Sequence, residues 1–403
     1  MSASQDKPGL VIFQKPLPLK ELATPCLLLD TDKMEANIRR FREHWRGSGV
    51  TIRPHLKTCR SWPLALECME SSEGPACVAT MGEAEAIAQY GARDIVLAVG
   101  IRPSLFARAN ALMQKGCSLK ILLDSMTMAE ALTEWATSHD AVFSVLLEVD
   151  CDGHRAGLAP DSQELVTIAN FLKAGGQDVA GILTHAGSAY DISSIEKIKE
   201  LALREAEAAA RAAALLREQG HACRIVSIGS TPTGLLGNAQ KAADLGITEI
   251  RAGVFVFMDL VMEGLGVCTR DDIALNVLTS MIGGFPVSGR IQDRILADAG
   301  WAALSSDRGL ASRFEKQGYG LVCDMEGTLL PGLVAADLNQ EHTMMRLDKD
   351  AADITLATLS NANASTRLRI IPNHACATAM MHKEYYLVRN GQAYAKAYRF
   401  GGW

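Results

Sequence analysis

The sequence predicts a closed (β/α)₈ barrel of parallel strands, followed by a smaller domain of antiparallel β-structure. From about residue 50 onward, eight short apolar runs alternate with longer stretches rich in Ala, Leu and Glu. Eight such units fit a closed barrel better than an open sheet. After about Gly266 this alternation stops, and β patterns separated by turns follow. The length of 403 residues leaves room for both parts.

The eight predicted barrel strands are short and apolar, as expected of strands covered on both faces. Helical patterns lie between them, and the longest of these is Ile195–Gln219. The predicted strands are Val50–His55, Ala76–Thr80, Asp94–Ala98, Leu119–Asp124, Val142–Val149, Val179–Thr184, Arg224–Ser227 and Thr248–Arg251.

Three segments divide the predicted chain. Residues 1–24 are expected to form a loosely held arm, residues 25–268 the barrel domain and residues 269–403 the β domain. The strand Pro25–Asp30 precedes a helix and lies outside the count of eight, so we expect it to pair with the β domain. The predicted strands of that domain are Ala274–Ile282, Ile295–Ala299, Gly320–Cys323, Arg367–Ile371 and Tyr385–Val388.

Composition excludes several classes of protein. Hydrophobic residues make up 48% of the chain and charged residues 21%, which is an ordinary globular balance. The net charge of -6 argues against a nucleic-acid partner. We find neither a signal peptide in the first twenty residues nor an apolar run long enough for a membrane span. The ten cysteines form no CxxC pair, so we expect reduced thiols in a cytoplasmic protein.

Residues that follow the barrel strands are the candidates for chemistry, because barrel active sites lie at the C-terminal ends of the strands. Lys57 and His55 come directly after the first strand. A partly buried lysine there could form an imine, although a single loop lysine is usually a surface residue. Arg155 follows a later strand and could hydrogen-bond a phenolate or carboxylate, or simply form a structural ion pair.

Two further strand ends carry polar groups. His185 and Tyr190 follow the strand that ends at Thr184. The loop Gly229-Ser230-Thr231 has the small and hydroxyl residues that a phosphate needs, although such loops also occur without a ligand. Gly253 closes the barrel beside the same predicted phosphate site.

The C-terminal domain contains a His-x-Cys pair, His374 and Cys376. In an extended segment, residues two apart point to one face and could hold one metal ion. Imidazole and thiolate ligands favour zinc over magnesium or calcium. An isolated pair of this kind is more often a buried cysteine beside a hydrogen-bonded histidine. His342 and His382 are further candidate ligands that no spacing connects to the pair.

Taken together, these segments resemble the D-serine dehydratase and D-threonine aldolase family of fold-type-III enzymes that use pyridoxal 5'-phosphate (PLP). The resemblance runs from about Thr24 to His382, in the order of the family. The segments that carry it are TPCLLLD, RPHLKT, ATMGEAEA, DCDGHRAGL, LTHAGSAYD, SIGSTPTG, EIRAGVFVFMD and PNHACAT.

The resemblance implies an alanine-racemase-like barrel plus a β domain, working as a homodimer with active sites shared between subunits. It identifies Lys57 as the Schiff-base lysine and Arg155 as the contact to the phenolic oxygen. The other implied cofactor contacts are His55, His185, Tyr190, Gly229, Ser230, Thr231 and Gly253. It also identifies His374 and Cys376 as ligands of zinc or another divalent metal.

The His-x-Cys pattern is that of the dehydratases, since the aldolases of the family carry His-Cys-Asp. The expected reaction is loss of water from a β-hydroxy-D-amino acid, such as D-threo-3-hydroxyaspartate or D-serine, giving a 2-oxo acid and ammonia. Three alternatives stay open: an aldolase that yields glycine and an aldehyde, a racemase, and a non-catalytic PLP carrier. No clear match to the second base of racemases is found. The roughly 135 residues of β domain argue against a small carrier.

Overall fold

The computed structural model describes residues 8–309 and 318–403. Within these residues the chain forms two compact units. One, which we call the barrel unit, consists of residues 38–255 with the last four residues, Phe400–Trp403. The other, the β unit, consists of the described residues up to Asn37 together with Val256–Arg399.

The N-terminal part of the chain contains strands β1 (Leu10–Pro18) and β2 (Cys26–Asp30) and helix α1 (Thr31–Trp45). β1 lies within the segment predicted as a loosely held arm. It pairs with the last strand of the chain, with Leu10 opposite Ala397. This pairing corrects the expectation of a loose arm for the described part of residues 1–24.

Eight parallel strands form the sheet of the barrel unit, and each predicted barrel strand is confirmed to within a few residues. Their order is β3-β10-β9-β8-β7-β6-β5-β4. A bridge between His55 and Cys77 joins the two ends of this order and nearly closes the barrel. The strands are β3 (Thr51–Pro54), β4 (Ala76–Val78), β5 (Asp94–Gly100), β6 (Ser118–Leu123), β7 (Ser144–Val149), β8 (Asp178–Thr184), β9 (Ile225–Ile228) and β10 (Glu249–Ala252).

Helices alternate with these strands, as the sequence pattern predicts. The longest helix confirms the predicted Ile195–Gln219, and its buried stripe of Ile, Leu and Ala recurs every three to four residues. Ser194 caps its N-terminus by accepting a hydrogen bond from the backbone of Lys197. The helices are α2 (Trp62–Cys68), α3 (Met81–Gln89), α4 (Phe106–Gln114), α5 (Met126–Ser138), α6 (Gln163–Ala174), α7 (Ile195–Glu218), α8 (Thr231–Leu236) and α9 (Ala239–Asp244).

The β unit contains a ten-stranded sheet in the order β1-β18-β17-β2-β11-β12-β15-β14-β13-β16. A further pairing of β11 with β16 closes six of these strands into a small barrel. All pairs are antiparallel except β2 with β17. The strands are β11 (Leu275–Gly283), β12 (Arg294–Ala297), β13 (Gly320–Cys323), β14 (Leu329–Leu338), β15 (Thr343–Leu347), β16 (Arg367–Pro372), β17 (Glu384–Arg389) and β18 (Gln392–Tyr398).

Short helices interrupt the β unit, and the sequence pattern did not predict them. They are α10 (Leu260–Gly264), α11 (Trp301–Leu304), α12 (Asp353–Ser360) and α13 (Ala375–Met380). None of the described helices is long and apolar enough to cross a bilayer.

The boundary between the units lies at Val256, earlier than the boundary expected near residue 268. Hydrogen bonds explain the difference. The Ala274 amide donates to the Phe257 carbonyl, and the Val261 amide donates to the Asn373 carbonyl. Residues 256–268 therefore belong to the β unit, although they continue the α/β pattern of the sequence.

Candidate cofactor and metal sites

Lys57 is an exposed side chain just beyond β3 in the barrel unit. The backbone before it is held in place, because the Leu56 amide donates to the Cys77 carbonyl over 2.8 Å. Gly253 approaches the same segment from the end of β10. A Cβ at Gly253 would lie 2.8 Å from Thr58 Oγ1 and 3.1 Å from the His55 carbonyl oxygen. Glycine therefore allows these two strand ends to approach each other.

His185 follows β8 and is kept neutral by its surroundings. Burial is the largest cause that lowers its pKa to about 3. The positive charges of Arg155, Arg251 and Lys57 act in the same direction. The Nδ1 atom lies 2.8 Å from the Gly229 carbonyl oxygen, to which a neutral ring donates. The structure thus brings together the lysine, arginine and histidine that the sequence placed on separate strands.

His55 shares this environment. Its side chain is half-buried, and burial lowers its pKa, with further contributions from the charges of Lys57 and Arg251. Two neutral imidazoles therefore lie among cationic side chains at the C-terminal end of the barrel. Such a concentration of perturbed groups at the mouth of a barrel is typical of a functional site.

Arg251 is a site residue that the sequence analysis did not assign. It is buried, donates to Ser227 Oγ over 2.7 Å and donates to the Thr184 carbonyl over 2.5 Å. Burial lowers its pKa. Its position at the end of the predicted strand Thr248–Arg251 is the signal in the sequence that could have identified it.

Arg155 is exposed, and its guanidinium lies 3.4 Å from the Glu148 carboxylate. Its loop is fastened to the loop after β8, because Asp152 Oδ2 accepts hydrogen bonds from the Ser188 amide and hydroxyl. Gly157 turns the loop with a φ of 116°, where a Cβ would lie 2.6 Å from the Asp150 nitrogen. The charge of Arg155 is among those that lower the pKa of His185.

Tyr190 ends a short 3₁₀ helix, Gly187–Tyr190, that follows His185. The rings of His185 and Tyr190 are 6.4 Å apart and tilted by 43°. The imidazole of His154 packs directly on Gly187, where a Cβ would lie 2.4 Å from its Cδ2 atom. A side chain at position 187 would therefore collide with the imidazole of His154.

The predicted phosphate loop joins β9 to α8. Gly229 has a φ of 135°, and a Cβ there would lie 2.1 Å from the Arg251 carbonyl oxygen. Ser230 caps α8 and shares a capping box with Thr233. The Thr231 hydroxyl accepts a hydrogen bond from the Phe255 amide over 3.2 Å.

The loop differs in one respect from the expectation of free backbone donors. The Gly229 amide donates to Glu205 Oε1 over 2.9 Å, and the Ser230 amide donates to Thr233 Oγ1 over 3.2 Å. Both N–H groups are used within the protein, because a buried backbone donor needs a partner. Gly229 therefore shapes the loop by its backbone conformation, while its amide is hydrogen-bonded to Glu205.

His374 and Cys376 lie at the start of α13, and the expectation of an extended segment is wrong. His374 is the N-cap and Cys376 the second residue of the helix. Their side chains are nevertheless hydrogen-bonded. Burial alone would lower the pKa of His374, but hydrogen bonds to Asp307 and Cys376 outweigh it and raise the pKa to about 11.

Two carboxylates that the sequence analysis missed support this pair. Asp307 Oδ2 lies 2.6 Å from His374 Nδ1. The buried Asp259 accepts hydrogen bonds from the amides of Met262 and Ala375, which fixes the start of α13. A carboxylate on a ring nitrogen is the usual support of a metal-bound histidine. The residues lie too far apart in sequence to be linked by spacing.

The other candidate ligands do not join the pair. His382 Nε2 donates a hydrogen bond to the Ala303 carbonyl oxygen over 2.8 Å, because a carbonyl oxygen can only accept. His342 is exposed on another part of the β unit. Across residues 8–309 and 318–403, no three His, Cys, Asp or Glu side chains are arranged to hold a metal ion. The chemistry of the donors fits a metal with two protein ligands and open positions.

The fold and the barrel-mouth residues define the class of alanine-racemase-like proteins. Residues 29–261 match the family model for the alanine racemase N-terminal domain. Residues 274–388 match the model for a putative serine dehydratase domain. The chain belongs to the D-serine dehydratase and D-threonine aldolase family within this class.

Individual relatives match along nearly the whole chain. D-threo-3-hydroxyaspartate dehydratase from Delftia sp. (strain HT23) is 40% identical over 386 residues, which is 96% of this chain and 99% of the relative. The solved structure from Delftia sp. HT23 has a TM-score of 0.88 at 39% identity, covering 96% of this chain and 100% of that one. A cysteine-to-alanine variant of D-threo-3-hydroxyaspartate dehydratase, described as metal-free, matches with a TM-score of 0.88 at 38% identity and the same coverage.

Proposed function

We propose that this protein is a PLP- and metal-dependent lyase that removes water from a β-hydroxy-D-amino acid. The substrate is D-threo-3-hydroxyaspartate or D-serine, and the products are a 2-oxo acid and ammonia. The observation that carries the proposal is 40% identity to D-threo-3-hydroxyaspartate dehydratase across 96% of the chain. The hydrogen-bonded pair of His374 and Cys376 adds to it, because the dehydratase branch carries His-x-Cys.

The barrel-mouth residues fit PLP. An exposed lysine lies beside cationic groups and two neutral imidazoles, which suits an anionic cofactor with a reactive aldehyde. Lys57 would hold the cofactor, and Arg155 would donate to its phenolic oxygen. When bound, PLP supplies an electron sink for negative charge at the substrate Cα. The other residues that would contact it are His55, His185, Tyr190, Gly229, Ser230, Thr231 and Gly253.

The chain's own groups then divide the work of proton transfer and binding. Lys57 Nζ takes the proton from the substrate Cα, as a positioned general base. His185 stays neutral and donates its Nδ1–H to the Gly229 carbonyl, so it does not compete with Lys57 for that proton. The positive charges of Arg155 and Arg251 attract the carboxylate of the amino acid.

The donor set of His374 and Cys376 fits zinc or a similar divalent ion, with Asp307 orienting the imidazole. When bound, the metal would supply Lewis acidity, which helps hydroxide to leave. The relative described as metal-free lost a cysteine, which supports a thiolate ligand in this family. We further propose that the protein is a cytoplasmic homodimer whose active sites combine residues of both subunits.

A product assay tests the proposal. Purified protein with PLP and Zn²⁺ is offered D-serine, D-threonine and D-threo-3-hydroxyaspartate separately, and ammonia, 2-oxo acid and glycine are quantified. We expect ammonia and oxo acid in equal amounts. Glycine and an aldehyde without ammonia would identify an aldolase. Loss of optical rotation without oxo acid would identify a racemase, and PLP binding without any product would identify a carrier.

A further inference from the structure

Glu205 lies on α7 and is completely buried, although the other buried residues of this helix are Ile, Leu and Ala. Burying a carboxyl group is costly unless hydrogen bonds compensate for the loss of water. Burial raises the pKa of Glu205, while hydrogen bonds to Thr233 and to backbone amides oppose the shift. A polar group at this position of an otherwise apolar stripe therefore calls for an explanation.

The contacts of Glu205 supply one. Its Oε1 atom accepts hydrogen bonds from two backbone amides, Ala186 over 3.0 Å and Gly229 over 2.9 Å. Ala186 directly follows His185, and the Gly229 carbonyl is the partner of His185 Nδ1. One carboxyl oxygen thus holds both the residue after His185 and the residue whose carbonyl accepts the hydrogen bond from His185 Nδ1.

We propose that Glu205 is the positioning residue of His185. By fixing the loops after β8 and β9 against each other, it sets the orientation of the imidazole and keeps the proton on Nδ1. The Nε2 atom is then the unprotonated nitrogen, which can accept a hydrogen bond. The role of the ring toward a cofactor rests on the proposed function, but the Glu205 network does not.

Two substitutions separate this role from simple packing. Glu205→Gln keeps a carbonyl oxygen that can accept from both amides. Glu205→Ala leaves two buried N–H groups without that acceptor. Glu205 also lines a cavity of about 240 Å³ together with Ile228, Thr233 and Leu236, so an altered side chain has space at this position. Glu205→Met fills the volume without accepting a hydrogen bond and serves if the alanine variant does not fold.

The first measurement is ¹⁵N NMR of histidine-labelled protein without cofactor. The His185 signal is identified by its loss in His185→Gln, and its chemical shifts report which ring nitrogen carries the proton. We expect the Nδ1–H form in the wild type and in Glu205→Gln. In Glu205→Ala or Glu205→Met we expect a mixture of both forms. Glu207→Ala, two residues along the same helix, is the matched control and should leave the signal unchanged.

The second measurement is the affinity for PLP, followed by its visible absorbance. Leaving buried donors unsatisfied should weaken binding by about 10- to 100-fold in Glu205→Ala or Glu205→Met. In Glu205→Gln the change should stay within about 3-fold. Unchanged ring protonation in the alanine and methionine variants overturns the proposal, as does an equal loss in all three variants. Wild-type protein that does not bind PLP overturns the proposed function instead, while the NMR result still decides the role of Glu205.

Discussion

At the scale of single residues, the barrel mouth combines cationic side chains with two histidines, His55 and His185, that stay uncharged because burial and the nearby positive charges lower their pKa values. The positive charges of Arg155, Arg251 and Lys57 all lower the pKa of His185. A ring that stays neutral in this field can orient a ligand without adding positive charge. The lysine is left as the group that can both bond to an aldehyde and transfer a proton.

Lys57→Ala tests this division. We expect loss of the visible absorbance of protein-bound PLP and a fall in turnover of at least about 10²-fold, the scale of a general-base contribution. Absorbance titration with PLP and an assay for ammonia measure the two effects. Lys120→Ala, which removes an amine from the other end of the strands, is the control for the absorbance. Wild-type turnover in the Lys57 variant would contradict the assignment.

The low pKa of His185 predicts a pH dependence of stability. The unfolded chain binds a proton at His185 below about pH 6.5, whereas the folded ring does so only near pH 3. The unfolded state therefore holds more protons than the folded state between these pH values. As a result, the contribution of His185 to the free energy of unfolding falls as the pH falls from 6.5 toward 3.

We expect His185→Gln to make the stability of the protein depend less steeply on pH. The midpoint of thermal unfolding, measured at intervals between pH 6.5 and pH 4, should decrease less steeply than in the wild type. Gln in place of the exposed His139 is the matched control and should leave the slope as it is. Parallel pH profiles for wild type and His185→Gln would show that the ring is not held neutral.

At the scale of elements, a line of polar side chains runs through the interior of the barrel. Arg53 on β3 donates to Glu249 on β10 and to Asp94 on β5. Ser227 on β9 donates to Glu249 over 3.0 Å, and Arg251 donates to Ser227. These contacts join strands that are distant in sequence, and they connect the start of the strands to the residues at the mouth.

Glu249→Ala should destabilise the barrel unit strongly, because it leaves Arg53 buried without its main partner. We expect a loss of about 3–5 kcal/mol in the free energy of unfolding, the scale for breaking a buried ion pair. Urea denaturation measures it. Asp161→Ala breaks the exposed pair with Arg211 and should cost less than about 1 kcal/mol. Equal losses in the free energy of unfolding for the two variants would show that the buried pair of Arg53 and Glu249 stabilises the barrel unit no more than an exposed pair.

At the scale of the whole molecule, the two sets of functional residues belong to different units of the chain. Every predicted PLP contact lies between residues 38 and 255, and both predicted metal ligands lie in the β unit. Removing the metal is therefore expected to affect elimination while leaving the cofactor in place. An experiment should therefore be able to remove the metal without removing PLP.

Chelation with EDTA, or Cys376→Ala, should lower turnover by about 10²-fold or more, the scale of a lost Lewis acid. The visible absorbance of bound PLP should remain. Bound zinc is measured by mass spectrometry, and turnover by release of ammonia. Cys323→Ala is the control, because burial raises the pKa of that thiol to about 11 and keeps it protonated. Full turnover after complete removal of the metal would show that elimination does not use it.

Local sequence patterns were enough to predict the eight-stranded barrel and the residue types at its mouth. Buried parallel strands are continuous apolar runs, and strand ends meet at one face, so local patterns were enough. β1 escaped prediction because it is a mostly exposed edge strand with a proline at its end. The His-x-Cys pair was visible as residue types, but its helical backbone was not.

The groups that support the site from distant positions in the chain became visible only in the folded structure. Asp307 and His374 are 67 positions apart, and the Gly229 amide lies 24 positions from its acceptor Glu205. No periodicity links such residues, because hydrogen bonds of this kind depend on how loops from different elements meet. In the sequence, Glu205 cannot be told from the exposed charged residues of its alanine-rich helix, whereas the structure shows that it is buried. The physical reason is that patterns record which face of an element is buried, whereas individual partners are fixed only by packing.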